Sequence, residues 1–172
     1  MMVTKFEMRG FFECFLRDPN GKERYVGTFE NLYTNNAKER TLRTLLNTAG
    51  GDKISVTDYP AKLAYCTGAF PSSPQSDPLG AVADDPNGYN AFGALANITS
   101  TSSSCYGTKT ATWTNASGGA LIVTYVACVY ANAVAASNIY NIANITDTSV
   151  AVAQSFVINY TWQFNFDTAS EI

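Results

Sequence analysis

The stretch from Ser155 to Phe166 constrains the fold more than any other part of the chain. Large apolar residues occupy every second position, and most of the residues between them are polar. The apolar set is Phe156, Ile158, Tyr160, Trp162, Phe164 and Phe166. Successive side chains of a strand point to opposite faces, so this pattern predicts one long β-strand with a buried aromatic face and a polar face.

The 172 residues suffice for one domain with a substantial core. Charged residues are only 15% of the chain, while Ser, Thr, Asn and Tyr are abundant, a composition typical of all-β proteins. There is no histidine, which removes the commonest general base and a frequent metal ligand. We therefore expect a protein that is not an enzyme, with no catalytic residues, no cofactor and no metal site.

The four cysteines lie far apart in the sequence, without the paired spacing of a zinc site. They are Cys14, Cys66, Cys105 and Cys128. The N-terminus lacks the apolar core of a signal peptide, and the best apolar run, from Ala120 to Ala136, is interrupted by polar residues. We expect reduced, mostly buried thiols in a protein made in the cytosol, with no membrane contact.

A β-hairpin is predicted at the N-terminus. The stretch from Phe6 to Leu16 alternates between apolar and charged residues, Asp18-Pro19-Asn20-Gly21 has the composition of a turn, and Arg24 to Leu32 returns as a strand. We interpret residues 1–35 as an N-terminal β-hairpin arm and residues 36–172 as a β-sandwich domain. Phe11 and Phe15 lie on the charged face of the arm, so both are candidate interface residues.

A single short α-helix is predicted over residues 36–49. Asn36 and Glu39 have the spacing of a capping box, and Gly50-Gly51 ends the segment. Its apolar stripe consists of Leu42, Leu45 and Leu46. We expect this helix to cover one edge or end of the sandwich.

A long loop is predicted over residues 70–89. Five of the six prolines lie between Pro60 and Pro86, among Ser, Asp and Gly residues. A loop of this length in a compact domain usually has a function or binds a partner. Four aromatic residues flank the loop or lie in it and are candidates for a partner or glycan surface: Tyr59, Phe70, Tyr89 and Phe92.

Short strands fill the rest of the chain and are separated by Gly, Asn and Ser turns. Leu121 to Tyr130 is apolar on both faces, which predicts burial on both. The other predicted strands are Ile54–Val56, Lys62–Thr67, Leu95–Thr101, Tyr106–Asn115, Ile139–Ile145 and Val150–Gln154. The fold class is therefore mainly β: a β-sandwich or jelly roll with an N-terminal hairpin arm and one short helix.

Charge is distributed unevenly along the chain. Residues 1–62 contain ten of the eleven Lys and Arg residues, and between Pro86 and Thr146 the only charge is Lys109. The acidic overall balance gives no indication of nucleic-acid binding. Two interpretations stay open for this nearly uncharged part of the chain. Either its hydroxyl-rich and amide-rich sheets face water, or other subunits cover it, since interface cores are depleted of charge.

The order of these segments resembles that of a loosely defined group of tailed-bacteriophage virion proteins. Members have an N-terminal hairpin, a Glu-Asn-Leu-x-Thr-Asn junction, a Leu-rich helix, a strand ending in Gly-Thr-Gly, a Pro-rich loop and a last Thr-x-Thr-Trp-x-Phe strand. The corresponding segments here are Glu30 to Asn35, Thr41 to Leu46, Tyr65 to Gly68, Pro71 to Leu79 and Asn159 to Phe166. Cys66 departs from the pattern, which has Gly before Thr-Gly.

The resemblance implies a virion structural protein assembled in the host cytoplasm, either a head decoration or cement protein or a tail or fibre component. Its expected partners are the major capsid protein or a tail protein, together with copies of itself. It brings no catalytic residues. The alternative is a carbohydrate-binding jelly roll for host-receptor recognition, which the loop aromatic residues and nearby Asn and Asp residues favour.

Overall fold

The computed structural model describes residues 3–35, 37–39, 62–73, 90–91, 99–101, 104–129 and 139–168. Ten strands in these ranges form two antiparallel sheets of five strands each. The strands are β1 (Val3–Arg17), β2 (Glu23–Glu30), β3 (Leu32–Tyr33), β4 (Lys62–Cys66), β5 (Asn90–Ala91), β6 (Thr99–Ser100), β7 (Ser104–Thr114), β8 (Leu121–Val129), β9 (Ile139–Val150) and β10 (Ser155–Thr168).

The strand order is β2-β1-β10-β7-β6 in sheet A and β3-β9-β8-β4-β5 in sheet B. The prediction of a mainly β, sandwich-like fold is confirmed. The jelly-roll variant of that fold stays a prediction. Within the described ranges, no helix combines the length and the apolar character that crossing a bilayer requires.

Sheet A is built on the pairing of β1 with β10, which runs from Val3 opposite Thr168 to Arg17 opposite Ser155. The hairpin predicted as an arm over residues 1–35 is thus an integral part of the sandwich, with β1 flanked by β2 and β10. The alternation in β1 predicted which side chains are buried. The alternation could not predict that β1 also pairs with β10, because that pairing depends on residues far away in the sequence.

The main hydrophobic core lies between the two sheets, and the aromatic face of β10 points into it. Phe12, Cys14 and Leu16 of β1 pack there with Phe156, Ile158 and Tyr160 of β10. Sheet B contributes Leu63, Tyr65, Val123, Val126, Cys128, Ala143, Ile145 and Val150. The predicted strand from Ser155 and its buried aromatic face are therefore confirmed, although Trp162 and Phe164 are only half-buried.

A second cluster of buried residues lies on the other face of sheet B. It consists of Ala64, Cys66, Tyr125, Ala127, Ile139 and Ile142, with Phe70 packed against it. The central strand β8 supplies residues to both clusters, since Val126 and Cys128 belong to the first and Tyr125 and Ala127 to the second. The predicted burial of this strand on both faces is confirmed.

The strand boundaries differ from the sequence prediction, most clearly at two places. The sequence predicts separate strands over residues 139–145 and 150–154, but β9 is continuous from Ile139 to Val150. The consecutive residues Thr146 and Asp147 are both exposed, so side-chain alternation is interrupted there. The strand continues through this point by a register shift in its pairing with β8, between Val123 and Tyr125. The return strand of the hairpin was expected to reach Leu32, but it ends at Glu30, and Leu32 pairs with Ile142 in sheet B.

The predicted helix over residues 36–49 lies mostly outside the described residues, and so does the predicted strand from Ile54 to Val56. Residues 35 and 37–39 are helical. Most of the long loop over residues 70–89 also lies outside the described ranges, which include only its first four residues.

Candidate functional site: the outer face of sheet A

The outer face of sheet A is the side of β2, β1, β10 and β7 that is turned away from sheet B. Where β2 pairs with β1, register places four side chains in a cross-strand row, for example Tyr25, Phe15, Val157 and Thr112. Most of these side chains are half-buried or exposed. The face divides by composition into two halves, one on β2 and β1 and the other on β10 and β7.

The aromatic–charged half is formed by β2 and β1. The rings of Phe15 and Tyr25 pack at a centroid distance of 5.4 Å, and 56% of Tyr25 is exposed. The Tyr25 and Thr28 hydroxyl groups are hydrogen-bonded at 2.6 Å. Phe11 lies on the same face of β1 and is half-buried. Partly exposed aromatic rings on a sheet face offer apolar area to a partner.

Charges of both signs surround these rings. Glu7 and Arg9 form an ion pair at 3.2 Å, and the Arg17 guanidinium Nε donates a hydrogen bond of 2.9 Å to Glu23. All four side chains keep contact with solvent, so each pair adds at most about 1 kcal/mol to stability. The two ion pairs therefore contribute little to the stability of the fold.

The hydroxyl–amide half is formed by β10 and β7. Its residues are Ser104, Tyr106, Thr108, Thr110, Thr112, Thr114, Ser155, Asn159, Thr161, Gln163 and Asn165, with Val157 buried among them. Cross-strand hydrogen bonds join Thr110 to Asn159 at 2.7 Å and Thr114 to Ser155 at 2.8 Å. No residue of this set carries a charge.

Lys109, the single charge in this part of the sequence, lies on the other side of β7. It pairs with Tyr160, whose side chain points into the core, and it alternates with the threonines of the outer face. Partial burial lowers the pKa of Lys109. The orientation of this one lysine is the reason that the hydroxyl–amide half is neutral.

The structure separates the predicted interface residues. Phe11 and Phe15 lie together on the aromatic–charged half. Phe70 packs edge-on against Tyr125 at 5.8 Å, on the outer side of sheet B. Tyr59, Tyr89 and Phe92 are outside the described residues.

Two exposed aromatic residues were not predicted as surface candidates: Tyr25 and Tyr106, the latter 37% exposed. A signal for Tyr106 is present in the sequence, since it has the same strand parity as Thr108 and the threonines that follow. Tyr25 lacked such a signal, because Val26 is the extra residue at a register shift between β1 and β2. That bulge reverses the parity of the strand on either side of it.

A buried polar network joins the two sheets and is the other notable polar feature. The Tyr160 hydroxyl accepts hydrogen bonds from Asn31 Nδ2, at 3.1 Å, and from Asn141 Nδ2. The Tyr33 hydroxyl donates to the carbonyl oxygen of Arg9 at 3.1 Å. Burial raises the pKa of Tyr33 to about 12 and that of Tyr160 well above its ordinary value, so both phenols are neutral at physiological pH.

Three of the four cysteines are buried. Cys14, Cys66 and Cys128 are buried thiols, which agrees with the expectation of mostly buried thiols, while Cys105 is half-buried. Burial raises the pKa of Cys14 to about 12, and the thiolate is the reactive form. In the described ranges, His, Cys, Asp and Glu side chains form no group of three or more that is placed to hold a metal ion.

Comparison of this chain with known protein families, with curated proteins and with solved structures finds no match.

Proposed function

We propose that this protein is a non-enzymatic structural component of a tailed-phage particle: a decoration or cement protein of the capsid, or a tail or fibre component. It acts by binding, through the aromatic–charged half of the outer face, to a major capsid or tail protein and to copies of itself. The resemblance in motif order supports the assignment to a phage particle. The chemistry of the outer face supports binding as the mode of action.

The observation that carries the proposal is the group of Phe11, Phe15 and Tyr25 on a solvent-facing sheet. Aromatic residues and Arg are enriched in subunit interfaces, where rings supply buried area and charges at the rim fix orientation. Burying apolar surface contributes about 25 cal/mol per Å² before the cost of association is subtracted. A face with half-exposed rings between Arg9, Arg17 and their acidic partners has this composition.

The test combines native mass spectrometry of the purified protein with binding to phage particles that lack it. We expect oligomers or particle binding for the natural sequence. Tyr25→Ala should weaken that association by about tenfold or more, because exposed interface tyrosines are frequent hot spots. The matched control is Tyr106→Ala, which removes an exposed tyrosine from the other half and should leave association unchanged.

A protein that stays monomeric and does not bind deficient particles would overturn the proposal. Equal losses from Tyr25→Ala and Tyr106→Ala would also contradict it, since they would place the contact elsewhere on the molecule. Circular dichroism of both variants confirms that each is folded before binding is compared.

A further inference from the structure

We propose that the hydroxyl–amide half of the outer face binds a neutral polysaccharide in an extended conformation. This inference is independent of the virion role proposed above, because it concerns different strands and a different kind of ligand. It rests on the chemistry, spacing and neutrality of the side chains on β7 and β10.

The spacing of polar groups on this half is regular. Side chains on one face of a strand recur about every 6.8 Å, and neighbouring strands lie about 4.8 Å apart. The pairs Thr110–Asn159 and Tyr106–Gln163 are directly opposite each other across β7 and β10. A regular grid of this kind fits an extended chain that lies along the strands, whose hydroxyl groups also recur at regular intervals.

The side chains are held in place while keeping hydrogen-bonding capacity. Thr110 donates to Asn159 Oδ1 at 2.7 Å, and Gln163 Nε2 donates to Asn165 Oδ1 at 2.8 Å. Each amide has two donor hydrogens and an oxygen with two acceptor sites, so these bonds use only part of its capacity. A planar amide that presents a donor and an acceptor side by side can bind two adjacent hydroxyl groups of a sugar ring.

Tyr106 supplies the apolar contact that hydroxyl recognition alone lacks. It is 37% exposed and lies opposite Gln163 in the same cross-strand row. A tyrosine ring is an apolar plate with a polar edge, and it can pack against the C–H face of a pyranose while the neighbouring amide binds ring hydroxyls.

The same observations disfavour other ligands. β7 and β10 carry no charge on this face, and the bordering strand β1 places two acids and one base, Glu7, Glu13 and Arg9, opposite Asn165, Asn159 and Gln163. The face therefore offers no basic patch of the kind that nucleic acids and anionic polymers require. A protein partner would gain little from apolar burial, because the one aliphatic residue on this half, Val157, is only 2% exposed. A neutral, hydroxyl-rich polymer matches both the lack of charge and the shortage of exposed apolar area.

The test is affinity electrophoresis of the intact protein in native gels that contain one soluble neutral polysaccharide each: hydroxyethyl cellulose, mixed-linkage β-glucan, galactomannan or dextran. We expect at least one of them to retard the protein, with little dependence on salt, since no ion pairs are involved. Tyr106→Ala and Gln163→Ala should each raise the dissociation constant by about tenfold, which corresponds to ~1.4 kcal/mol. Tyr106→Phe should keep most of the affinity.

The control is Val152→Ala, which removes an exposed apolar side chain from the turn before β10, outside both halves of the face, and should leave retardation unchanged. Retardation by none of the polysaccharides would overturn the inference. So would retardation that disappears at high salt, or that survives the double variant Tyr106→Ala/Gln163→Ala. Because oligomerisation and particle binding are measured separately and depend on Tyr25, a failure here is distinguishable from a failure of the proposed function.

Discussion

The hydroxyl group of Tyr160 is the point at which single residues of both sheets meet. Tyr160 belongs to β10 of sheet A. Its hydroxyl accepts hydrogen bonds from Asn31, which lies between β2 and β3, and from Asn141 of β9. Asn141 is fully buried, and its Oδ1 atom has no hydrogen-bond partner among the described residues. A buried amide is costly to leave unpaired, so its bond to Tyr160 matters for stability.

Gly10 makes this arrangement possible, and Gly10→Ala should destabilise the protein. A Cβ atom at position 10 would lie 2.6 Å from both Asn31 Nδ2 and Tyr160 Oη. The side chains would have to move apart and break their hydrogen bond, which we expect to cost about 1–3 kcal/mol of unfolding free energy. Urea denaturation followed by tryptophan fluorescence measures the difference.

Gly118→Ala is the control for this substitution, since nothing lies within 4 Å of a Cβ atom added there. It should change stability by less than about 0.5 kcal/mol. If Gly10→Ala were as stable as the natural protein, Asn31 and Tyr160 would not be in contact in solution.

At the scale of elements, the crossing between the sheets shows what a short segment contributes. The chain leaves sheet A at Glu30 and enters sheet B at Leu32, and Asn31 N–H bonds back to the Gly10 carbonyl oxygen at 3.1 Å. Two residues after Leu32, the Thr34 hydroxyl donates to the Ile139 carbonyl oxygen at 2.8 Å and accepts from Ala37 N–H at 3.1 Å.

Thr34 therefore caps the first helical turn, while Asn36, which the sequence predicted in that role, lies outside the described residues. The Asn36 and Glu39 spacing fits a capping box, but Lys38 N–H already bonds to the Thr34 carbonyl oxygen at 3.1 Å, so the first turn begins at residue 35. Local spacing indicated only Asn36 and Glu39. It could not indicate the contact of Thr34 with β9, because Ile139 lies 105 residues away in the sequence.

Thr34→Ala should cost about 1–2 kcal/mol of unfolding free energy, because it removes both the cap and the bond to Ile139. Thr34→Ser keeps the hydroxyl and should recover most of this loss. Thermal unfolding of the two variants and the natural protein gives the comparison. Equal melting temperatures for Thr34→Ala and Thr34→Ser would show that the lost stability does not come from the hydroxyl.

At the scale of the whole molecule, several proton-releasing groups are buried between the sheets. Burial raises the pKa of Cys14 from 9.0 to about 12 and that of Tyr33 from 10.0 to about 12. The pKa values of Cys128 and Tyr160 are also raised, chiefly by burial. In the unfolded chain these groups lose their protons at ordinary values, so between about pH 9 and pH 12 the unfolded state binds fewer protons than the folded state.

The protein should therefore become less stable as the pH rises above about 9. Each group that is ionised only in the unfolded chain lowers the unfolding free energy by about 1.4 kcal/mol per pH unit. Chemical denaturation at a series of pH values from neutral to about 11 measures this slope.

Tyr160→Phe provides the internal check on that slope. This variant is less stable at neutral pH, because Asn31 and Asn141 lose their acceptor, but it has one fewer group to ionise. Its stability should approach that of the natural protein as the pH rises. If the stability of Tyr160→Phe ran parallel to that of the natural protein across this pH range, ionisation of Tyr160 would not contribute to the slope.

The sequence alone determined which residues of a strand share a face. Alternation in β1, β7 and β10 predicted the buried set that includes Phe12 and Phe156, and it already placed the four threonines of β7 together. This information is local, because the orientation of successive side chains follows from the backbone geometry of a single extended segment.

Only the tertiary structure decided which strands are neighbours and therefore what each face can do. The pairing of β1 with β10 makes the hairpin part of sheet A, and the bulge at Val26 brings Tyr25 beside Phe15. The register of β10 with β7 aligns Asn159 with Thr110 and Gln163 with Tyr106. Such pairings join residues far apart in the sequence, and many registers satisfy the same alternation, so the packing of the whole chain selects among them.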